Sequence, residues 1–125
     1  MRQAGILLAV SALPSRHGVG DFGSSCYELA DFLKRSGFKI WQILPLNPVG
    51  YGNSPYQPYS SNAMDEVYIS LDKLSEEGLL GHVPSFRAKA KSVDYEAVRA
   101  FKRKYIEKAF KKFVPNKANY TYILQ

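Results

Sequence analysis

The sequence predicts one α/β domain with parallel strands, and three observations support this fold class. The chain has 125 residues, 46% of them hydrophobic and 22% charged, which is the composition of a single globular domain. Two apolar runs, residues 5–13 and 38–46, lie on either side of a segment whose apolar residues recur at helical spacing. A strand, a helix and a second strand in this order form a βαβ unit, so the two strands are expected to be parallel neighbours.

The first strand is predicted over residues 5–13, because a nearly continuous apolar run is typical of a strand buried on both faces of a sheet. The helix that follows has a capping-box pattern at its start, with Ser25 and Glu28 three residues apart. Gly37 stands where a helix C terminus favours a left-handed residue. The apolar residues at helical spacing are Cys26, Leu29, Ala30 and Leu33.

After the second strand, regular structure is predicted to stop in a tyrosine-rich loop. Three of the nine tyrosines fall between Tyr51 and Tyr59. They lie among prolines, which restrict the backbone dihedrals, and glycines, which permit unusual ones. Such a loop is expected to have a defined conformation and not to be merely flexible. It follows the carboxyl end of a strand, where ligands gather in parallel α/β folds.

The rest of the chain predicts a short strand and two helices. Residues 67–71 predict the strand, and Asp72 is the expected N-cap of a short helix over residues 73–80. Asp94 is expected to cap a long helix that ends near residue 114.

The net charge of +6 is concentrated in the C-terminal third. Residues 1–86 hold 6 Lys/Arg and 8 Asp/Glu, whereas residues 87–125 hold 11 and 3. The aromatics there lie on an apolar helix stripe and not among the charges, which favours a solvated basic face over a nucleic-acid or membrane surface. The stripe is Val98, Phe101, Tyr105, Ala109 and Phe113, and the residues assigned mostly to the solvated face are Lys102, Arg103, Lys104, Lys108, Lys111 and Lys112.

Several other classes of protein are disfavoured. Cys26 is the single cysteine, and His17 and His82 lie far apart, so neither a disulfide framework nor a metal site is expected. No apolar run approaches the ~20 residues of a membrane span, and the N-terminal run lacks a secretory cleavage pattern. Residues 18–23 have Gly-x-Gly-x-x-Gly spacing, but no acidic residue follows at the distance that dinucleotide binding requires. No cofactor is expected.

Two interpretations of the tyrosine-rich loop stay open on composition alone. Tyrosines flanked by Ser, Asn and Gln suit a sugar ligand, because aromatic faces pack on pyranose C–H groups while amides and hydroxyls bind the OH groups. The same tyrosines could instead cover the end of the sheet. Glycosidic chemistry needs two carboxyl groups, and among the acids only Asp21 lies in a strand-end loop. Asp21 is expected to fix the glycine-rich turn or cap the next helix rather than react.

Four segments make the chain resemble the N-terminal portion of the 4-alpha-glucanotransferase family, also called amylomaltase or disproportionating enzyme. The resemblance runs from Ala4 to about Phe113. Ala9, Ala12, Asn53 and Met64–Glu66 depart from the common family residues. The segments that carry the resemblance are residues 4–8 with 13–15 (AGILL, LPS), 20–23 (GDFG), 41–48 (WQILPLNP) and 50–57 (GYGNSPYQ).

The resemblance implies the first βα units of a (β/α)8 TIM barrel, plus the start of an inserted subdomain, in a truncated chain. Residues 1–46 would form the first βαβ of the barrel and residues 47–66 a substrate-groove loop. Residues 67–115 would form the inserted subdomain with its amphipathic helix. Residues 116–125 match the family poorly, which favours truncation.

The resemblance also implies a cytoplasmic, cofactor-free enzyme that transfers an α-1,4-glucan segment between maltooligosaccharides by a retaining mechanism. Tyr56 would line the donor sugar subsite with Ser54 beside it, Gln57 would complete that motif, and Tyr51 would belong to a glucan-contacting surface. The catalytic carboxylates would lie on later strands, outside this chain, which alone is expected to be inactive. The alternatives are a non-catalytic glucan-binding or interaction fragment and, more weakly, a nucleic-acid-binding module.

Overall fold

A computed structural model describes residues 2–48, 62–87 and 92–113. These contain strands β1 (Gly5–Leu7) and β2 (Ile40–Gln42), and helices α1 (Ser24–Arg35), α2 (Leu71–Glu76) and α3 (Tyr95–Lys112). Two short 3-10 helices lie at Val10–Ala12 and Glu66–Tyr68. No helix in these ranges is long and apolar enough to cross a membrane.

The predicted βαβ unit is confirmed. β1 and β2 pair in parallel, with Gly5 opposite Ile40 and Leu7 opposite Gln42. Gly5 is required at this register, because a Cβ there would lie 2.7 Å from the Ile40 carbonyl oxygen. The indole N–H of Trp41 donates to the Leu8 carbonyl at 2.9 Å and extends the connection beyond the strands.

The predicted long first strand is wrong in both length and burial. β1 ends at Leu7, and the chain turns into the 3-10 helix Val10–Ala12. The side chains of Leu7 and Ile40 are 62% and 47% exposed. An apolar strand is buried on both faces only where other elements cover it, and the described residues contain two strands and no more.

The start of α1 differs from the predicted capping box. The helix begins at Ser24 after Gly23, which makes no side-chain cap. Asp21 instead fixes the turn just before the helix, because its Oδ1 accepts from the Gly23 N–H at 3.0 Å. The end of α1 agrees with the prediction, since Gly37 has φ +83°.

The predicted strand over residues 67–71 is also wrong, because side-chain capping determines the local backbone. Asp65 Oδ1 accepts from the Val67 N–H at 2.9 Å and starts the 3-10 helix Glu66–Tyr68. Ser70, and not Asp72, caps α2 by accepting from the Lys73 N–H at 3.2 Å. α2 ends at Glu76, short of the predicted residue 80.

α3 connects the two hydrophobic clusters of the described residues. Asp94 caps it as predicted, accepting from the Ala97 N–H at 3.1 Å. Val98 packs in the cluster around Val10 and Tyr68, whereas Ala109 packs in the cluster around Leu71. Most of the predicted apolar stripe therefore faces the core, with Phe113 the exception at 42% exposed.

Candidate functional site

The candidate site lies where the segments that follow β1 and β2 meet α3. Each segment contributes one buried aspartate, Asp21 after β1 and Asp65 after β2. The sequence-predicted sugar contacts Tyr51, Ser54, Tyr56 and Gln57 lie outside the described residues. The described part of the site therefore consists of the residues that surround the two ends of that loop.

Lys102 and Asp21 form a buried ion pair. The Lys102 ammonium, fully buried, donates to Asp21 Oδ2 at 3.0 Å and to the carbonyls of Val67 and Ile69 at 2.7 and 3.0 Å. These acceptors match the three N–H donors of the ammonium. Burial lowers the pKa of Lys102, and the nearby Asp21 carboxylate opposes that effect.

The prediction that Lys102 belongs with the solvated charges is therefore wrong. Lys102 follows Val98 by four residues and so lies on the buried face of α3. That spacing was visible in the sequence. Its partner was not, because Asp21 is 81 residues away along the chain.

Asp21 organises the β1–α1 connection, which confirms the expected turn-fixing role. Besides Gly23 and Lys102, its carboxylate accepts from the Ser15 hydroxyl at 3.3 Å. That hydroxyl in turn accepts from the His17 N–H at 3.1 Å. A Cβ at Gly20 would collide with the Val10 carbonyl, so the turn also requires glycine there.

A second ion pair joins α3 to the segment after β2. Arg99 donates to both oxygens of Asp65, at 2.6 and 2.8 Å, in a bidentate arrangement. The Asp65 side chain is 1% exposed and that of Arg99 28%. The hydrogen bond to Asp65 raises the pKa of Arg99. The sequence patterns did not single out Asp65 as a site residue.

His17 is a further buried polar group close to α3. Its ring lies 6.0 Å from that of Phe101, and its Nε2 has no hydrogen-bond partner in the part of the chain that the structure describes. Burial lowers the pKa of His17. The charged groups that face it are Asp72, Arg16, Lys102 and Asp21.

The neutral, buried His17 makes stability depend on pH below neutrality. In the unfolded chain the pKa of His17 lies near its ordinary value of 6.5, and burial lowers this pKa in the folded chain, so the unfolded state binds more protons as the pH falls below 6.5. We expect the urea midpoint to fall between about pH 7 and about pH 5, and to fall less in His17→Leu. The hydrogen bond with Arg16 lowers the pKa of Asp72 from its ordinary value of 3.8. The contribution of Asp72 to the pH dependence of stability therefore lies below this window.

The exposed histidine His82 supplies the matched control. His82→Leu should keep the pH dependence of the parent chain. If the parent chain and His17→Leu lost the same amount of stability between the two pH values, this would contradict the assignment of the pH dependence to His17.

A family model described as 4-alpha-glucanotransferase matches residues 8–122. The chain belongs to the 4-alpha-glucanotransferase family. It is 44% identical over 120 residues to a 4-alpha-glucanotransferase of Synechocystis sp., covering 92% of this chain and 23% of the relative. It is 46% identical over 115 residues to one of Aquifex aeolicus, covering 90% and 24%.

The fold is similar to that of an amylomaltase from Streptococcus agalactiae, solved in complex with acarbose. The TM-score is 0.82 at 34% identity, over 97% of this chain and 25% of that one. The chain thus spans about a quarter of the length of the 4-alpha-glucanotransferases it matches. These findings confirm the family resemblance that the sequence motifs indicate.

Proposed function

We propose that the chain serves as the N-terminal part of a cytoplasmic 4-alpha-glucanotransferase, which moves an α-1,4-glucan segment between maltooligosaccharides with retention. The family match over residues 8–122 is the observation that carries this proposal. The similarity to an amylomaltase solved with acarbose supports an α-glucan substrate. In this proposal β1, α1 and β2 begin a (β/α)8 barrel, and residues 67–115 belong to an inserted subdomain.

The proposed glucan contacts are Tyr56, Ser54, Tyr51 and Gln57, in the segment between β2 and Asp65. Tyr56 packs on the donor sugar beside the bond that is cleaved. The described ends of this segment support the proposal, because they lie at the carboxyl end of a parallel strand, where barrels bind their ligands. Aromatic rings with adjacent hydroxyl and amide groups suit a pyranose.

The two buried aspartates of the described residues do not provide a catalytic pair. A retaining mechanism needs two available carboxyl groups about 5–5.5 Å apart, one as nucleophile and one as acid/base. Asp21 is paired with Lys102, and Asp65 with Arg99. We propose that the catalytic carboxylates lie on later strands of the whole enzyme. The pairing of both aspartates with cations also favours the second candidate, a non-catalytic glucan-binding or interaction fragment.

The chain alone is expected to lack transglycosylase activity, because the nucleophile and the acid/base are both missing from it. Purified chain incubated with maltotriose should release no more glucose, and form no more maltopentaose, than a boiled sample. Product well above the boiled sample would contradict the proposal that the catalytic carboxylates lie on later strands of the whole enzyme.

Salt dependence of binding separates a glucan partner from a nucleic acid. Binding of maltoheptaose should change little between about 50 and 200 mM salt, since it depends on stacking and neutral hydrogen bonds. Binding driven by phosphate contacts would weaken by about 10³–10⁵ over that range if 6–10 contacts formed. Salt-sensitive binding of single-stranded DNA without any glucan binding would favour the nucleic-acid alternative.

A further inference from the structure

A groove lies between the segment that follows α2 and the C-terminal half of α3. Its volume is about 320 Å³, at the lower end of the ~300–1,000 Å³ of small-molecule sites. Leu80 and Val83 line one side of it, and both are buried in the cluster around Leu71. The hydroxyl of Ser75 lies 3.1 and 2.6 Å from the carbonyl oxygens of Leu80 and Gly81. Packing and hydrogen bonds therefore fix this side of the groove.

The other side of the groove carries three lysines of α3. Lys108, Lys111 and Lys112 are three and four residues apart, so they lie on one face of the helix. All eleven Asp and Glu residues of the chain lie in the described ranges. The ion pairs within these ranges use other cations, and Glu107 pairs with none of the three lysines. No carboxylate side chain of the described residues therefore neutralises this side of the groove.

The helix dipole explains the positions of two of these lysines but not of the third. Cations in the last turn of a helix are favoured by the negative end of the dipole, and the effect falls off within that turn. Lys111 and Lys112 lie in the last turn of α3, whereas Lys108 lies one turn earlier. Like charges four residues apart, as in Lys108 and Lys112, destabilise a helix. An anion bound between them would offset this repulsion.

Tyr105 holds Lys108 at the groove. Lys108 Nζ is 5.2 Å from the centroid of the Tyr105 ring, which is a cation–π distance. The ring in turn packs against that of Phe101, with 5.2 Å between the centroids. Lys104 Nζ lies 5.6 Å from the same Tyr105 ring, but Lys104 is not among the residues that line the groove. The same ring therefore contacts one lysine at the groove and one outside it.

We propose that this groove binds a small phosphate monoester, with the phosphate on Lys108, Lys111 and Lys112 and the organic group on the apolar side. A phosphate monoester carries a charge of about −1.5 to −2 at pH 7 and three acceptor oxygens. It therefore matches three ammonium groups better than a single carboxylate does. Sugar phosphates and nucleoside monophosphates share this chemistry. The proposal does not rest on the proposed function, because none of its residues belongs to the segment between β2 and Asp65.

Titration of the ¹⁵N-labelled full chain with glucose 6-phosphate and with AMP, followed by NMR, tests the proposal. We expect saturable shifts of the amides of Gly81 and Lys108, and the ester that binds more tightly identifies the organic group. Maltose, a neutral sugar, should leave these amides unshifted. Inorganic phosphate should bind at least about tenfold more weakly than the tighter ester, because it makes no apolar contact.

Lysine variants of the same chain assign the binding to the groove. Lys108→Met should raise the Kd of the tighter ester at least about tenfold, because it removes a charged hydrogen-bond donor. Lys108→Arg should retain most of the affinity. Lys104→Met is the matched control, since it removes the same charge from the same ring, and it should change the Kd less than about twofold at 0.15 M salt. Circular dichroism should show the same helix content in all three variants.

Four results would overturn the proposal in whole or in part. The first is the absence of saturable binding of both esters up to about 20 mM. The second is an equal loss of affinity in Lys104→Met and Lys108→Met, which would indicate attraction by net charge alone. The third is binding of single-stranded DNA without binding of either monoester, which would make the ligand a nucleic acid. The fourth is inorganic phosphate binding as tightly as both esters, which would remove the role of the apolar side.

Discussion

Replacing Lys102 with methionine is expected to lower the free energy of unfolding by about 3–5 kcal/mol, the cost of removing one partner from a buried ion pair. The variant leaves the Asp21 carboxylate without its cation and the carbonyls of Val67 and Ile69 without a donor. A loss of this size is a large fraction of the ~5–15 kcal/mol that stabilises a typical domain. Urea unfolding monitored by circular dichroism measures it.

The double variant Lys102→Met/Asp21→Asn separates the buried charge from the loss of packing. It should recover part of the stability, because the asparagine oxygen can still accept from the Gly23 N–H while the uncompensated charge is gone. Lys111→Met, on the exposed side of α3, should change stability by no more than about 0.5 kcal/mol. A cost below about 1 kcal/mol for Lys102→Met would show that the pair does not hold α3 against the β1–α1 connection.

The largest effect on activity is expected from Tyr56, tested in an enzyme that joins residues 1–113 to the remaining barrel of the Aquifex aeolicus relative. By our proposal, Tyr56→Ala removes an apolar ring and a hydroxyl that lie beside the scissile bond. The expected loss of transition-state stabilisation is about 2–4 kcal/mol, or about 1.5 to 3 decades in kcat/KM. Initial rates on maltotriose measure it.

Two further variants distinguish the parts of the tyrosine. Tyr56→Phe should cost much less than Tyr56→Ala if ring packing dominates, and nearly as much if the hydroxyl binds the sugar or a catalytic carboxylate. Tyr59→Ala is the control, because we assign Tyr59 to packing, where truncation lowers stability more than turnover. Near-full kcat/KM in Tyr56→Ala, with activity abolished in a folded Tyr59→Ala enzyme, would make our assignment of the sugar contact wrong.

The features that the sequence predicted correctly follow from local patterns and, for the two strands, from the general rule that a strand, a helix and a strand form a parallel pair. The βαβ unit follows from two apolar runs around a helical pattern, and Gly37 and Asp94 end and cap helices through bonds within a few residues. The same kind of local bonding explains one error. The aspartate and serine at positions 65 and 70 cap short helices and override the strand preference of the residues between them.

The two ion pairs that define the candidate site could not be predicted in this way. Arg99 and Asp65 are 34 residues apart, and Lys102 and Asp21 are 81 apart, so no local pattern links the partners. The burial of both aspartates, which the structure shows, accounts for the pairing, since a buried carboxylate requires a cation or donors. The family motifs predicted the sugar-contacting residues by resemblance, and those assignments remain predictions.

The most direct measurement is the product distribution of the joined wild-type enzyme with maltotriose. We expect glucose and maltopentaose, the two products of transferring a maltosyl unit from one maltotriose to another, followed by longer glucans, at a rate comparable to that of the intact Aquifex aeolicus parent, because we propose that residues 1–113 of this chain supply equivalent donor-sugar contacts. A correctly folded joined enzyme that forms none of these products, while the parent forms them under the same conditions, would contradict the account.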